Sequence, residues 1–515
     1  MNYRPPSSYH LGDCWVFIWE GLYHLFHLQA TDSGWGGLGH AISQDFVHWI
    51  PQDTIKIEEV PNSWEASVGL TGTIVRHEGK FWMFYGAYNE GIQRIGAIIS
   101  DDMKSWEKHP NNPLIVPAAP YQAAVREEEA PPQWRDVWWR DPVIYWRKDL
   151  ECYEGLIGAR LPNIGPDNSG ACIARVRSKD LVNWEHFPPL ADVGSKLLVA
   201  DVPDIFEMNG TWYLTFNTCS SLGRRLDTPT RKQVGGTYYM IAPSPDGPFE
   251  FPEDPCLLGS GNGRQGPSVL ATLPLDDHND KRLAYHVIFP SPLVSGVMSA
   301  FALPKYLYQN KDLTLSLLYH PVIEKLETRV IQTSFADMDF NRRFQLTGQW
   351  LTGKDACSTG QRLHGYSVTA SSAVLCKDVI ADIHLSCHVD LHESERCGVL
   401  LRFDQGKASG LAVTLDKANQ EVSFGQVGTN WFGSLYFRIC HIYDSVRWDL
   451  PDNRQILLRI VVRAEFAEVY IDDRLALCVS IPGELQTGVV GYFVEGGKSS
   501  FGNMRLAELE TLLSL

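Results

Sequence analysis

Three carboxylates stand directly ahead of apolar runs: Asp13 in Leu-Gly-Asp-Cys-Trp-Val-Phe, Asp141 in Trp-Arg-Asp-Pro-Val-Ile-Tyr and Asp201 in Val-Ala-Asp-Val-Pro-Asp-Ile-Phe. A single Asp in such a place is most often a turn residue, because its short side chain caps nearby backbone groups. Three at matching points of separate structural units carry more weight. Brought to one place, they would push each other's pKa values apart, leaving one carboxyl protonated beside another that is ionised. Glycoside hydrolysis uses that pairing, with a carboxylate below the anomeric carbon and an acid beside the leaving oxygen. The remaining requirement is a scaffold that carries the starts of distant strands to a common axis.

The chain supplies one. Helical periodicity is scarce, whereas short strand-like runs bounded by Gly, Asn, Asp or Pro recur over the first 300 residues, among them Trp15–Ile18, Leu22–Leu28, Phe81–Tyr85, Arg94–Ile99 and Trp212–Phe216. Several pair as hairpins around Glu20-Gly21, Glu78-Gly79 and Asn209-Gly210. A second unit, Ser-x-Asp-x-x-x-Trp, follows at Ser43–Trp49, Ser100–Trp106 and Ser178–Trp184, with a degenerate copy from Ser244. The starts lie 57, 78 and 66 residues apart. Repetition at that spacing marks a radial array of antiparallel strands, and four copies plus the Leu283–Phe289 strand predict five blades of a β-propeller. The expected organisation is all-β: a five-bladed propeller over 1–305, a connector over 306–334, with 304–329 read as a last strand followed by a connecting stretch that ends in a short helical piece, and a β-sandwich over 335–515.

Composition sets limits on function. The 515 residues hold 45 Lys plus Arg against 61 Asp plus Glu, a formal charge of −16, which repels phosphate backbones and anionic lipid surfaces. Nucleic acid and membrane are therefore excluded as expected partners, and no apolar run reaches the ~18 residues of a span. The 16 Trp, 20 Tyr and 22 Phe suit either sugar stacking or core packing, and core packing explains most of them. Eleven scattered cysteines without a C-x-x-C pair predict neither a zinc site nor a disulfide framework, so no metal or cofactor is expected. Reduced thiols and no visible secretory signal give a cytoplasmic expectation.

At these residues the sequence resembles glycoside hydrolase family 32, the fructofuranosidase group, and more loosely families 43 and 68. Gly12-Asp13 followed by Glu20-Gly-Leu-Tyr-His-Leu-Phe26 is similar to the family's opening block, and Gly39-His-Ala-Ile-Ser43-Gln-Asp45-Phe-Val-His48-Trp49 to its second. Arg140-Asp141-Pro142 is a third match, Asp201-Val-Pro-Asp204 stands where the family has Glu-Cys-Pro-Asp, and Ala302-Leu-Pro304-Lys-Tyr-Leu resembles the closing strand. The resemblance covers about residues 9–330 and implies a β-fructofuranoside-cleaving hydrolase or transglycosylase that works by retaining double displacement. Asp13 would be the nucleophile, Asp141 the stabiliser of oxocarbenium character with Arg140 beside it, and Asp201 the acid and base. Asp201 is one methylene, roughly 1.5 Å, shorter than the family's Glu, and a wider carboxyl separation would permit an inverting route.

Weaker expectations attach to Gln29, Trp64 with Glu65, Thr71 in Thr-Gly-Thr, and Arg231 and Arg264 in polar loops, all as sugar contacts. His24 and His27, three apart on a strand, cannot chelate one metal and are expected in core or surface roles. The expected partner is a small-molecule or oligosaccharide substrate, and a homodimer is compatible with the reading. Two alternatives stay open here: an arabinofuranosidase-like or difructose-acting enzyme of the same fold, and a sugar-binding propeller without catalysis.

Overall fold

The computed structural model describes residues 3–6, 10–31, 34–121, 137–162, 169–197, 199–218, 228–231, 235–260, 268–275, 281–288, 299–333, 335, 349–354, 361–367, 371–429, 435–452 and 454–511. The first four sheets are four-stranded antiparallel meanders. Blade I holds β1 (His10–Trp19), β2 (Leu22–Thr31), β3 (Gly34–Ser43) and β4 (Ile50–Pro51). Blade II holds β5 (Ser67–His77), β6 (Lys80–Asn89), β7 (Ile92–Ser100) and β8 (Glu107–Lys108). Blade III runs through β9 (Trp139–Arg147), β10 (Cys152–Arg160), β11 (Ala171–Ser178) and β12 (Glu185–Asp192), and blade IV through β13 (Asp201–Met208), β14 (Thr211–Thr218), β15 (Gly235–Ala242) and β16 (Cys256–Ser260).

Blade V is built differently. Its order is β17 (Ser268–Pro274), β18 (Lys281–Ile288), β20 (Lys305–Gln309) and β21 (Leu315–Tyr319), while the short β19 (Ala300–Phe301) pairs with the far end of β18. The stretch expected as a connector therefore holds this blade's two outer strands before the 3-10 helix Pro321–Leu326. The innermost strands β1, β5, β9, β13 and β17 touch in ring order, and β17 returns to β1. Tyr3 closes the ring by exchanging two backbone hydrogen bonds with Phe301, 3.1 and 3.0 Å.

Local chemistry explains these elements. Glu20-Gly21, Glu78-Gly79, Glu90-Gly91 and Asn209-Gly210 all have both residues at positive φ, the two-residue turn whose twist matches that of the flanking strands. The Ser-x-Asp unit is a turn as well. Ser43 Oγ accepts from Asp45 and Phe46 N–H, and Asp45 Oδ1 from Val47 and His48 N–H; the same pattern recurs at Asp102 and Asp180. In the degenerate copy Asp246 accepts instead from Arg147, Arg175 and Arg177 of blade III.

Aromatic seams fill the spaces between blades: Trp15, Phe26 and Met83 between I and II, Phe84, Trp139 and Ile157 between II and III, and Phe206, Tyr213 and Leu307 between IV and V. The C-terminal part is a β-sandwich. One sheet includes 383–390, 456–463, 466–471, 474–480 and 497–509, the other 372–380, 396–404, 409–416, 421–429, 435–447 and 488–495. Leu385, Leu458 and Ile460 face Val399, Leu411 and Tyr492 across its core. The first sheet is continuous with blade V through the Leu318–Arg474 pair of β21. Among the described residues no helix is long and apolar enough to cross a membrane.

Candidate active site

Every innermost strand is irregular near its start. In β1 the register steps from Leu11–Gln29 to Cys14–His27, so Gly12 and Asp13 bulge out of the ladder. In β9 the slip lies at Asp141, whose φ is +55°, and in β13 between Asp201 and Asp204, where Val202 has φ +47°. β5 slips around Thr71, and β17 between Val269 and Ala271. A bulge frees a side chain from the in-out alternation of a strand and re-aims it. Here the same device operates near the start of the innermost strand of each blade.

The three carboxylates are brought together. The Thr71 hydroxyl donates to Asp13 Oδ2 at 2.5 Å, and Arg140 Nε stands 3.6 Å from Asp201 Oδ1, an oxygen that accepts no hydrogen bond among the described residues. Burial pushes the Asp13 carboxyl above the usual range; the Thr71 hydrogen bond opposes this, the charge of Asp201 adds to it, and Arg140 draws it back. Asp141, 5% exposed, is pushed up to about 8, by burial first, then by Asp201 against the pull of Arg140, with Asp13 adding. Burial also raises Asp201, against two cations, Arg140 and Arg160. Three buried acids this close oppose one another's ionisation.

The other expected contacts divide. Thr71 belongs to the cluster through Asp13. Gln29 is 2% exposed, and its amide donates to Gly36 O and Thr54 Oγ1 within blade I. Trp64 stacks at a tilt on Tyr85, 5.8 Å between centroids, and covers Gly96, while Glu65 accepts from Tyr85 and Lys108. Arg231 requires a correction: its guanidinium binds Asp444 at 2.9 and 3.1 Å and Ala476 O at 2.7 Å, so it fastens the propeller to the sandwich. Both of its terminal nitrogens bind sandwich residues. Arg264 lies outside the described residues. His24 pairs with His40 at 3.1 Å and His27 with Tyr3 at 3.2 Å, both in packed interiors.

Trp138 and Arg160 escape sequence reasoning. Arg140 and Arg160 both lie over the Trp138 ring, at 3.7 and 4.5 Å from its centroid. Trp138 opens the Trp-Trp-Arg-Asp run and Arg160 ends β10, a strand end that no catalytic pattern marks. Asp204 accepts from the backbone N–H and hydroxyl of Thr272, tying blade IV to blade V beside the cluster.

The three acids do not form one of the sets whose donor atoms all lie within 4.8 Å; among the described residues only His286, Glu468 and Cys478 do. That group lies in the propeller–sandwich seam, where the Lys305 ammonium already sits 2.6 Å from Glu468.

Residues 14–250 match the family model "Glycosyl hydrolases family 32 N-terminal domain". The chain is 27% identical over 177 residues to an acid beta-fructofuranosidase of Phaseolus vulgaris, covering 32% of this chain and 25% of that protein. It is 26% identical over 217 residues to the insoluble beta-fructofuranosidase isoenzyme CWINV1 of Arabidopsis thaliana, covering 40% and 34%. These matches span a quarter to a third of the relatives' own length. Among solved structures, the fructan 1-exohydrolase IIa of Cichorium intybus superposes with a TM-score of 0.66 at 15% identity, covering 99% of this chain and 97% of that one. The Bombyx mori beta-fructofuranosidase BmSUC1 gives 0.64 at 16%, covering 99% and 94%. At such identities the structural likeness is one of fold.

Proposed function

Because this chain is a divergent member of glycoside hydrolase family 32, we infer that it is a glycosidase that cleaves a β-fructofuranoside by retaining double displacement. The observation that carries the reading is the convergence of Asp13, Asp141 and Asp201 from bulges in three innermost strands onto one electrostatically coupled group.

In this reading the Asp13 carboxylate attacks the anomeric carbon. The bond to the leaving oxygen breaks as Asp201 gives that oxygen its proton. Asp141, beside Arg140, hydrogen-bonds ring hydroxyls, and in its ionised form it stabilises the oxocarbenium-like charge. Asp201, now ionised, takes a proton from water; the oxygen attacks the anomeric carbon and frees Asp13. A sugar hydroxyl in place of water turns hydrolysis into transfer. The substrate class is a small or oligomeric fructofuranoside. We place the protein in a reducing compartment, a reading supported by the free thiols of the eight cysteines described, seven of them buried.

The test compares two leaving groups. Asp201→Asn is expected to lower kcat on an alkyl or sugar fructofuranoside by about 10²–10⁴-fold, while an aryl fructofuranoside, which needs little protonation, is spared most of the loss. Equal losses on both substrates would remove Asp201 from the acid role.

A further inference from the structure

Asp201 poses a problem that burial alone does not solve. As acid and then base it must lose and regain a proton near the working pH, yet desolvation pushes its carboxyl upward. Arg140 cannot correct this for Asp201 alone, because it also acts on Asp13 and Asp141.

The structure places a second cation selectively. Gly158 of β10 abuts the start of blade IV: a Cβ there would stand 2.8 Å from Ala200 O and 3.7 Å from Asp201 Cα. Residues two apart on a strand share a face, so Arg160 extends on the side that meets Asp201. Arg160 is 2% exposed, and its guanidinium donates to Ser169 O at 2.8 Å and lies over the Trp138 ring that also carries Arg140. Stacking and the carbonyl bond fix a planar fork that a flexible lysine would not hold so well.

We propose that Arg160 is a positioning residue for Asp201, a buried cation held on Trp138 on the face that meets the acid, which governs how readily Asp201 gives up its proton. The proposal rests on the glycosidase reading above. The charged groups facing Asp201 are Arg140 from β9, Arg160 from β10, and the Asp141 and Asp13 carboxyls from β9 and β1. Arg160 opposes the rise of Asp201, and it is drawn down itself, to about 10, by burial. Removing it therefore leaves Asp201 protonated to higher pH.

The experiment measures kcat against pH for the unaltered protein, Arg160→Gln and Arg160→Lys on one fructofuranoside, with a 13C-NMR titration of the Asp201 carboxyl, assigned by its loss in Asp201→Asn. Arg160→Gln is expected to move the basic limb and the Asp201 titration upward by about one pH unit and to lower kcat about tenfold, with Arg160→Lys between. A fall in kcat with both midpoints unmoved would reduce Arg160 to a packing role and overturn the proposal. If Arg160→Gln does not fold, the smaller shift in Arg160→Lys decides, and its absence overturns the proposal equally. An unaltered protein that turns over no fructofuranoside would defeat the glycosidase reading instead, while the NMR titration still judges Arg160.

Discussion

Thr71 donates its hydroxyl to Asp13 and so favours the ionised form that a nucleophile needs. Thr71→Val removes that bond, raises the Asp13 pKa and shifts the acidic limb of kcat/KM to higher pH, with a loss of about tenfold or more at neutral pH; a pH–rate profile reads both. Asp141 carries a cost to stability. Its folded pKa of about 8 lies above that of a free carboxyl, so the folded state binds more protons and stability falls as pH rises from about 4 through 8. Asp141→Asn abolishes that penalty while destroying activity. Its melting temperature at pH 8 is expected to exceed that of the unaltered protein by about 2 °C or more, with the gap closing toward pH 4. A constant gap would contradict the assignment. At this scale the three acids were legible, because each interrupts an apolar run. Arg160 and Trp138 were not, because their relevance comes from a neighbouring blade.

Among the elements, the Glu-Gly turns and the Ser-x-Asp unit could be read from sequence because each is satisfied by its own backbone. The bulges could not, since register is a property of two strands, and neither could the split third strand of blade V, which left its outer strands inside the expected connector. Blade III holds a polar lock that no local pattern announces, and Asp246 of blade IV binds to its edge. Glu154 is fully buried and accepts from Arg147 at 2.8 Å, Arg177 at 2.7 Å and Tyr145 at 2.5 Å. Glu154→Gln strands two guanidiniums against one neutral amide. It is expected to cost about 3 kcal/mol, at the lower end for a broken buried pair because Asp149 and Asp246 remain as partners of Arg147. Denaturant unfolding measures the loss; an unchanged midpoint would show the lock to be ornamental.

Across the whole molecule, the sandwich is part of the propeller's support. Blade V's sheet runs on into it through β21, Arg231 reaches across to Asp444, and the fully buried Lys305 pairs with Glu468, whose other oxygen accepts from Tyr470. Arg231 read as a sugar contact in sequence because a guanidinium in a polar loop looks the same whether it meets a hydroxyl or a carboxylate 213 residues away. Glu468→Gln leaves the Lys305 charge uncompensated and is expected to cost about 3–5 kcal/mol, seen by calorimetry as an earlier or split transition. A single transition at the original temperature would mean that the two parts fold independently of this pair.

The central claim is best tested by 1H NMR of the sugar first released from a β-fructofuranoside, by the unaltered protein and by Asp13→Ala. The account predicts that the β-anomer of fructose appears before mutarotation and that Asp13→Ala releases none. First appearance of the α-anomer, or undiminished release by Asp13→Ala, would contradict it.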